Sequence, residues 1–162
     1  MLNYRYALVP GSFDPVTKGH YDLVLRASKM FDKVFVVAFV NSSKAGFFTS
    51  NERLTLLRTA FRDIPNIEVD MSDGMLAAYA VEHGIGTLVK GARNAADFDY
   101  EMSLSLINRS IEPELDTVVI PSKSQYMHIS STMVRELMKY GRDYSDAVPN
   151  GVAEEVEKIV NK

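Results

Sequence analysis

The sequence predicts a single-domain α/β protein, residues 1–162, built on a Rossmann-like, doubly wound parallel sheet of five strands. Two observations carry this. Short apolar runs of strand length alternate with longer segments whose apolar residues recur at helical spacing. A chain of 162 residues also fits one compact unit at roughly 100 to 200 residues per domain.

Tyr4–Val9 reads as the first strand and Gly19–Met30 as the helix after it. Lys33–Val40, rich in Val and Phe, has the unbroken apolar character of a strand buried on both faces. Ser50–Phe61 places Leu54, Leu57 and Phe61 at helical intervals, and Ile67–Asp70 is a short strand. Met75–His83 is a helix stopped by Gly84, with His83 favoured near the negative end of the dipole. Thr87–Lys90 is a strand, and Asp97–Arg109 a helix whose Phe98, Met102 and Leu106 form a core stripe. Thr117–Ile120 closes the strand set, followed by helices Ser131–Tyr140 and Val152–Val160. The last carries Val152, Val156, Ile159 and Val160 on one face, suited to packing or to a subunit contact. Gly and Pro fall mostly at element boundaries, with no internal repeat or low-complexity tract.

Composition narrows the function. Hydrophobic residues at 46% and charged residues at 24% are those of a folded globular chain. Lys plus Arg number 18 against 21 Asp plus Glu, so no broad basic surface for nucleic acid is expected and any anion site must be local. The absence of cysteine removes thiol chemistry and disulfides, and three separated histidines, His20, His83 and His128, make a structural zinc site a poor fit; no metal-ligating residues are assigned. The first ten residues lack a signal-peptide pattern and no apolar run approaches the roughly 18 residues of a membrane span, so a cytoplasmic protein without a membrane partner is expected.

Open α/β sheets bind ligands beyond the carboxyl ends of their strands. The segments there read Pro10-Gly11-Ser12-Phe13-Asp14-Pro15, Asn41-Ser42-Ser43-Lys44, Gly91-Ala92-Arg93-Asn94 and Pro121-Ser122-Lys123. Neither a dinucleotide-binding Gly-x-Gly-x-x-Gly after the first strand nor a P-loop is present. Instead Thr17-Lys18-Gly19-His20 delivers a glycine and a histidine to a helix amino terminus, where unpaired N–H groups favour an anion. Gly19 permits close ligand approach and His20 adds a donor. Ser130, Ser131 and Thr132 are good helix caps, but Arg135 in the first turn opposes the macrodipole unless something anionic lies near. Lys44 alone reads as a solvated charge, Glu101 equally as a salt-bridge partner or a ribose contact, and Asp14 as a cap of its own turn.

The segment Gly11-Ser12-Phe13-Asp14-Pro15 through His20, with Ile129-Ser130-Ser131-Thr132-Met133-Val134-Arg135 near the last strand, resembles the paired signatures of the nucleotidylyltransferase superfamily. Lys90-Gly91-Ala92-Arg93, followed by Asp97-Phe98-Asp99-Tyr100-Glu101-Met102 and Asn108-Arg109, is similar to the bacterial phosphopantetheine adenylyltransferases in particular, and the likeness runs nearly end to end. The resemblance implies transfer of the adenylyl group of ATP to 4′-phosphopantetheine, giving 3′-dephospho-coenzyme A and pyrophosphate. It implies Mg²⁺ as cofactor, a homohexamer, and feedback by coenzyme A. It also implies that His20, Lys44 and Arg93 act in catalysis. ATP binding falls on Ser12, Phe13, His20, Gly91, Ala92, Arg93 and Glu101, and on Tyr126, Met127, His128, Ile129, Ser130, Ser131 and Thr132. The acceptor falls on Ser12, Lys44, Leu76 and Lys90. Ser12 stands where the family more often has threonine, Lys90 where it commonly has arginine, and the loop Gln125–His128 is one residue longer than in some relatives.

A phosphate monoester is already an anionic nucleophile, so such a reaction needs no general base. Donors and cations that hold two anions together suffice, which matches the character of His20, Lys44, Lys90, Arg93 and Arg135. Two other readings are a transferase using nicotinate mononucleotide or glycerol 3-phosphate as acceptor, and a nucleotide-binding regulator without turnover. The acceptor-side residues Lys44, Leu76 and Lys90 oppose the first, and the intact Gly19-His20 opposes the second.

Overall fold

The first strand, β1 (Asn3–Gly11), lies at the centre of a parallel sheet, flanked on one side by β2 (Lys33–Phe39) and β3 (Ile67–Ser72) and on the other by β4 (Ile85–Ala92) and β5 (Asp116–Pro121). The computed structural model describes residues 1–40 and 46–161. Helices α1 (Lys18–Met30), α2 (Ser50–Phe61), α3 (Leu76–Glu82), α4 (Ala95–Ile111), α5 (Ser131–Lys139) and α6 (Val152–Val160) complete the chain. The sheet is the five-stranded doubly wound one that the alternating pattern predicts.

Central position explains composition. Val34 through Ala38 are buried without a break, and so are Ala7, Leu8 and Val9, because both faces of these strands are covered. Alternation then sorts side chains between two cores. Ala7, Val9, Val34 and Val36 pack with Val24 of α1, Leu57 of α2, Val134 of α5 and Val156 of α6. Leu8, Phe35, Val37 and Leu88 pack with Ala77 and Ala80 of α3 on the opposite face.

Most boundaries move outward from their expected positions, for identifiable reasons. Thr17 caps α1, so the helix starts at Lys18. Asn94 accepts from the Asp97 N–H, so α4 starts at Ala95 and not at Asp97. Pairing with β5 carries β4 to Ala92, so Gly91 and Ala92 end a strand and do not form a loop. Gly84, at φ 66°, terminates α3 as expected. Two single 3₁₀ turns, Ser124–Tyr126 and Ser145–Ala147, have no counterpart in the sequence reading, because three residues carry no periodic signal.

One expectation fails. The stripe Phe98, Met102 and Leu106 is not core: these residues are 42%, 48% and 64% exposed, and no residue of α4 is buried. Helical periodicity reports an apolar face, not what covers it.

The chain adds β2 and β3 on one side of β1 and then crosses to β4 on the other. That reversal opens a crevice between the carboxyl ends of β1 and β4. At Gly86 of β4 an added Cβ would lie 3.0 Å from the Tyr4 backbone nitrogen of β1, beside a break in register between Asn3 and Ala7. Gly86→Ala is therefore expected to destabilise the protein by about 1–3 kcal/mol. Thermal denaturation checks this, and an unchanged Tm would refute the close approach.

Candidate active site

The crevice holds a cavity of about 420 Å³ whose wall comes from every element that ends there. β1 and the following loop supply Ser12 and Phe13, and α1 supplies Thr17, Gly19 and His20. β4 brings Lys90, Gly91 and Arg93, while α4 adds Asp97, Tyr100 and Glu101. The segment after β5 contributes Ser122 and Tyr126, and the start of α5 contributes Ile129, Ser130 and Ser131.

His20 is held by the start of its own helix. Thr17 and His20 form a reciprocal capping box in which the Thr17 backbone N–H donates to His20 Nδ1 at 3.0 Å. An Nδ1 that accepts cannot carry the proton in the neutral ring, so Nε2–H is left as the donor for the cavity. Phe13 packs edge-on against the imidazole at a centroid distance of 5.0 Å. Burial, reinforced by the positive charges of Arg93 and Lys90, lowers the His20 pKa from 6.5 to about 4. The ring is thus neutral near pH 7.

Two cations face this ring, each beside a carboxylate. Asp97 accepts from both the backbone N–H and Nε of Arg93, at 3.0 and 3.1 Å. These contacts, the backbone one foremost, hold the Asp97 carboxyl below its usual range. They fix one edge of the guanidinium and leave its terminal nitrogens outside the contact. Lys90 Nζ lies 3.3 Å from Glu101 Oε1, with both side chains largely shielded. Among the described residues no group of three or more His, Asp or Glu side chains gathers to hold a metal. Both cavity carboxylates are engaged by cations, an arrangement that fits a metal arriving on an anionic ligand.

Eleven of the expected site residues line the cavity: Ser12, Phe13, His20, Lys90, Gly91, Arg93, Glu101, Tyr126, Ile129, Ser130 and Ser131. Phe13 is 1% exposed as a whole residue, and its polar groups are those of the backbone alone. Ala92, Met127, His128 and Thr132 lie on the same segments but outside the lining. Leu76 lines an adjoining pocket of about 30 Å³ whose wall also includes Lys90 and Glu101. Lys44 lies outside the described residues. At Gly19 an added Cβ would meet no protein atom closer than 3.6 Å, so the protein's own packing does not demand glycine there.

Arg135 has a different role from the one its position suggests. It donates to the Asp14 carbonyl at 2.6 Å and to Thr132 Oγ1 at 3.1 Å, outside the cavity lining. The unfavourable dipole is answered by a carbonyl oxygen of the first loop. Asp14 likewise does more than cap its turn, accepting from the Phe47 and Phe48 N–H groups at 2.8 Å each. The sequence reading missed Thr17, Asp97 and Tyr100 as lining residues. Asp97 was detectable as the partner four residues beyond Arg93 on a helix start, and Thr17 as a cap; Tyr100 carries no local signal.

Residues 8–137 match the family model described as cytidylyltransferase-like. A phosphopantetheine adenylyltransferase of Caldanaerobacter subterraneus subsp. tengcongensis is 40% identical over 158 residues, covering 98% of this chain and 99% of the relative. One from Clostridium beijerinckii is 39% identical over 157 residues, covering 97% and 99%. Among solved structures, that of an inferred nicotinate-nucleotide adenylyltransferase from Vibrio parahaemolyticus superimposes with a TM-score of 0.69 over 94% of this chain and 91% of the other. Its identity of 20% supports likeness of fold alone.

A folded-state histidine pKa of about 4 against 6.5 when unfolded means that the unfolded chain binds the proton more readily. His20 therefore favours the folded state fully above about pH 6.5, and that contribution is lost as pH falls towards about 4. In the ligand-free protein the His20 ring is expected to stay neutral, with the proton on Nε2, from about pH 5.5 to 8. Nitrogen-detected NMR of the imidazole checks this, and a midpoint near the ordinary value would refute it.

Proposed function

The chain belongs to the phosphopantetheine adenylyltransferases within the cytidylyltransferase-like family, and from that we propose that it transfers the adenylyl group of ATP to 4′-phosphopantetheine, giving 3′-dephospho-coenzyme A and pyrophosphate. The observation that carries the site assignment is the neutral His20, oriented by Thr17 with its Nε2–H left for a cavity that also holds Lys90 and Arg93. Donors without a free base suit this chemistry. The acceptor phosphate oxygen forms a bond to the α-phosphorus as the bond to the bridging oxygen of pyrophosphate breaks, and no proton has to be removed first.

In this reading His20 donates to the α-phosphate oxygen on which charge accumulates. Held in place by the Thr17 backbone, this donor needs no reorganisation as the charge grows. Arg93 and Lys90 balance the charges of two anions held together, and Lys44 is assigned to the same set by the family resemblance. Ser130 offers a hydroxyl, and Ser131 a helix-start N–H, at the cavity wall. In this reading the acceptor's pantetheine arm runs towards Leu76, whose small pocket shares Lys90 and Glu101 with the main cavity. Mg²⁺, held mainly by triphosphate oxygens, would supply further charge neutralisation.

We place the protein in the cytoplasm, and among the described residues no helix is long and apolar enough to cross a membrane. Feedback by coenzyme A follows from chemistry, since a molecule with both an adenylate and a pantetheine part competes for the same cavity. The homohexamer is supported by α4, whose Phe98, Leu106, Ile107 and Ile111 are 42%, 64%, 54% and 48% exposed and leave apolar surface for further copies of this chain.

Pyrophosphate release should require phosphopantetheine and not occur with nicotinate mononucleotide or glycerol 3-phosphate, and His20→Ala should lower kcat by about 100-fold or more. Turnover with another acceptor would overturn the substrate assignment. A chiral α-thiophosphate should react with inversion, and net retention would exclude direct in-line transfer. In sedimentation, wild type should run as a hexamer and Leu106→Asp as smaller species; a wild-type monomer would refute the assembly.

A further inference from the structure

The loop after β1 is held from behind by side chains of distant elements. Arg53 of α2, only 6% exposed, donates from Nη1 to the Ser12 carbonyl at 3.2 Å and from Nε to the Phe48 carbonyl at 3.1 Å. Its guanidinium is closely packed, since a Cβ added at Gly46 would lie 2.8 Å from Nη2. The Ser12–Phe13 peptide is trans, so its C=O and N–H point in opposite directions. Ser12 and Phe13 both line the cavity, whereas Arg53 does not. A carbonyl turned back towards Arg53 therefore turns the Phe13 N–H towards the cavity.

We propose that Arg53 is a positioning residue for adenylyl transfer: it anchors the Ser12 carbonyl and thereby fixes the Phe13 N–H as a donor to a phosphate oxygen of the nucleotide. Two neighbouring contacts show why this one matters. Arg135 holds the Asp14 carbonyl, but the next residue is Pro15, which has no N–H. Ser131 holds the Pro15 carbonyl, but the following residue, Val16, is outside the cavity lining. Of these three carbonyl contacts, the Arg53 one alone precedes an N–H on a lining residue. Phe13 has φ 46°, a sparsely populated conformation for an aromatic residue, so its peptide needs such an external hold. Arginine suits the task because its planar fork bridges two carbonyls, which a lysine point charge cannot do in the same geometry.

The inference rests on the adenylyl-transfer reading, and its test separates the two. In the full-length enzyme, Arg53→Lys should raise the KM for ATP by about tenfold while leaving that for phosphopantetheine within about twofold. Thr49→Ala removes a cap of the same helix and should lower Tm without moving the KM for ATP. Equal ATP effects in both variants, or none in Arg53→Lys, would overturn the positioning role. The wild type gives a second readout free of any folding defect. Ser-Phe occurs once in the sequence, so labelling serine carbonyl carbon and phenylalanine nitrogen isolates the Phe13 amide. Its proton should move downfield on addition of a non-hydrolysable ATP analogue, and an unmoved signal would overturn the proposal. Absence of wild-type turnover with phosphopantetheine would overturn the functional reading and this inference together.

Discussion

The cavity depends on one constraint: the loop after β1 must satisfy its backbone without helix or sheet partners. Buried carbonyls that lack a partner are costly, and here the partners come from far along the chain. Arg53 takes the Ser12 carbonyl, Arg135 that of Asp14, and Ser131 that of Pro15. Asp14 answers in kind by accepting two N–H groups from Phe47 and Phe48. The loop thus ties the start of α2 and the start of α5 to the end of the central strand. A hydrogen-bonding requirement of the backbone becomes the device that brings both sequence signatures to one cavity.

Charge is arranged by the same economy. Lys90 and Arg93 gather at the end of β4, where they would repel each other and a protonated His20. Glu101 and Asp97 from α4 offset the cations, while burial keeps the imidazole neutral. The result is a site rich in donors but near electrical balance before an anion arrives. Such a site stabilises added charge without first paying to strip water from isolated ions.

The helix that supplies those carboxylates is the one least buried in its own chain. α4 contributes no buried residue, yet Asp97, Tyr100 and Glu101 line the cavity from it. Its inner edge serves the site, where Asp97 and Glu101 meet Arg93 and Lys90, and its outer apolar residues are exposed.

The sequence by itself determined the sheet and its helices, because burial on both faces and on one face leave different periods in the apolar residues. It also placed His20, Lys90 and Arg93 at strand ends and a helix start, where an α/β sheet places its ligands, while Glu101 came only from the family resemblance. Tertiary structure alone decided the roles of Arg53 and Arg135, which look alike as helix-borne cations yet bind carbonyls 41 and 121 residues away. It also decided that Phe98, Met102 and Leu106 face outward, and that Asp14 reaches across to Phe47 and Phe48. Local pattern encodes which face of an element is apolar or which end is polar. It does not encode which distant backbone group or which neighbouring surface meets that face, since this depends on the folded path of the whole chain.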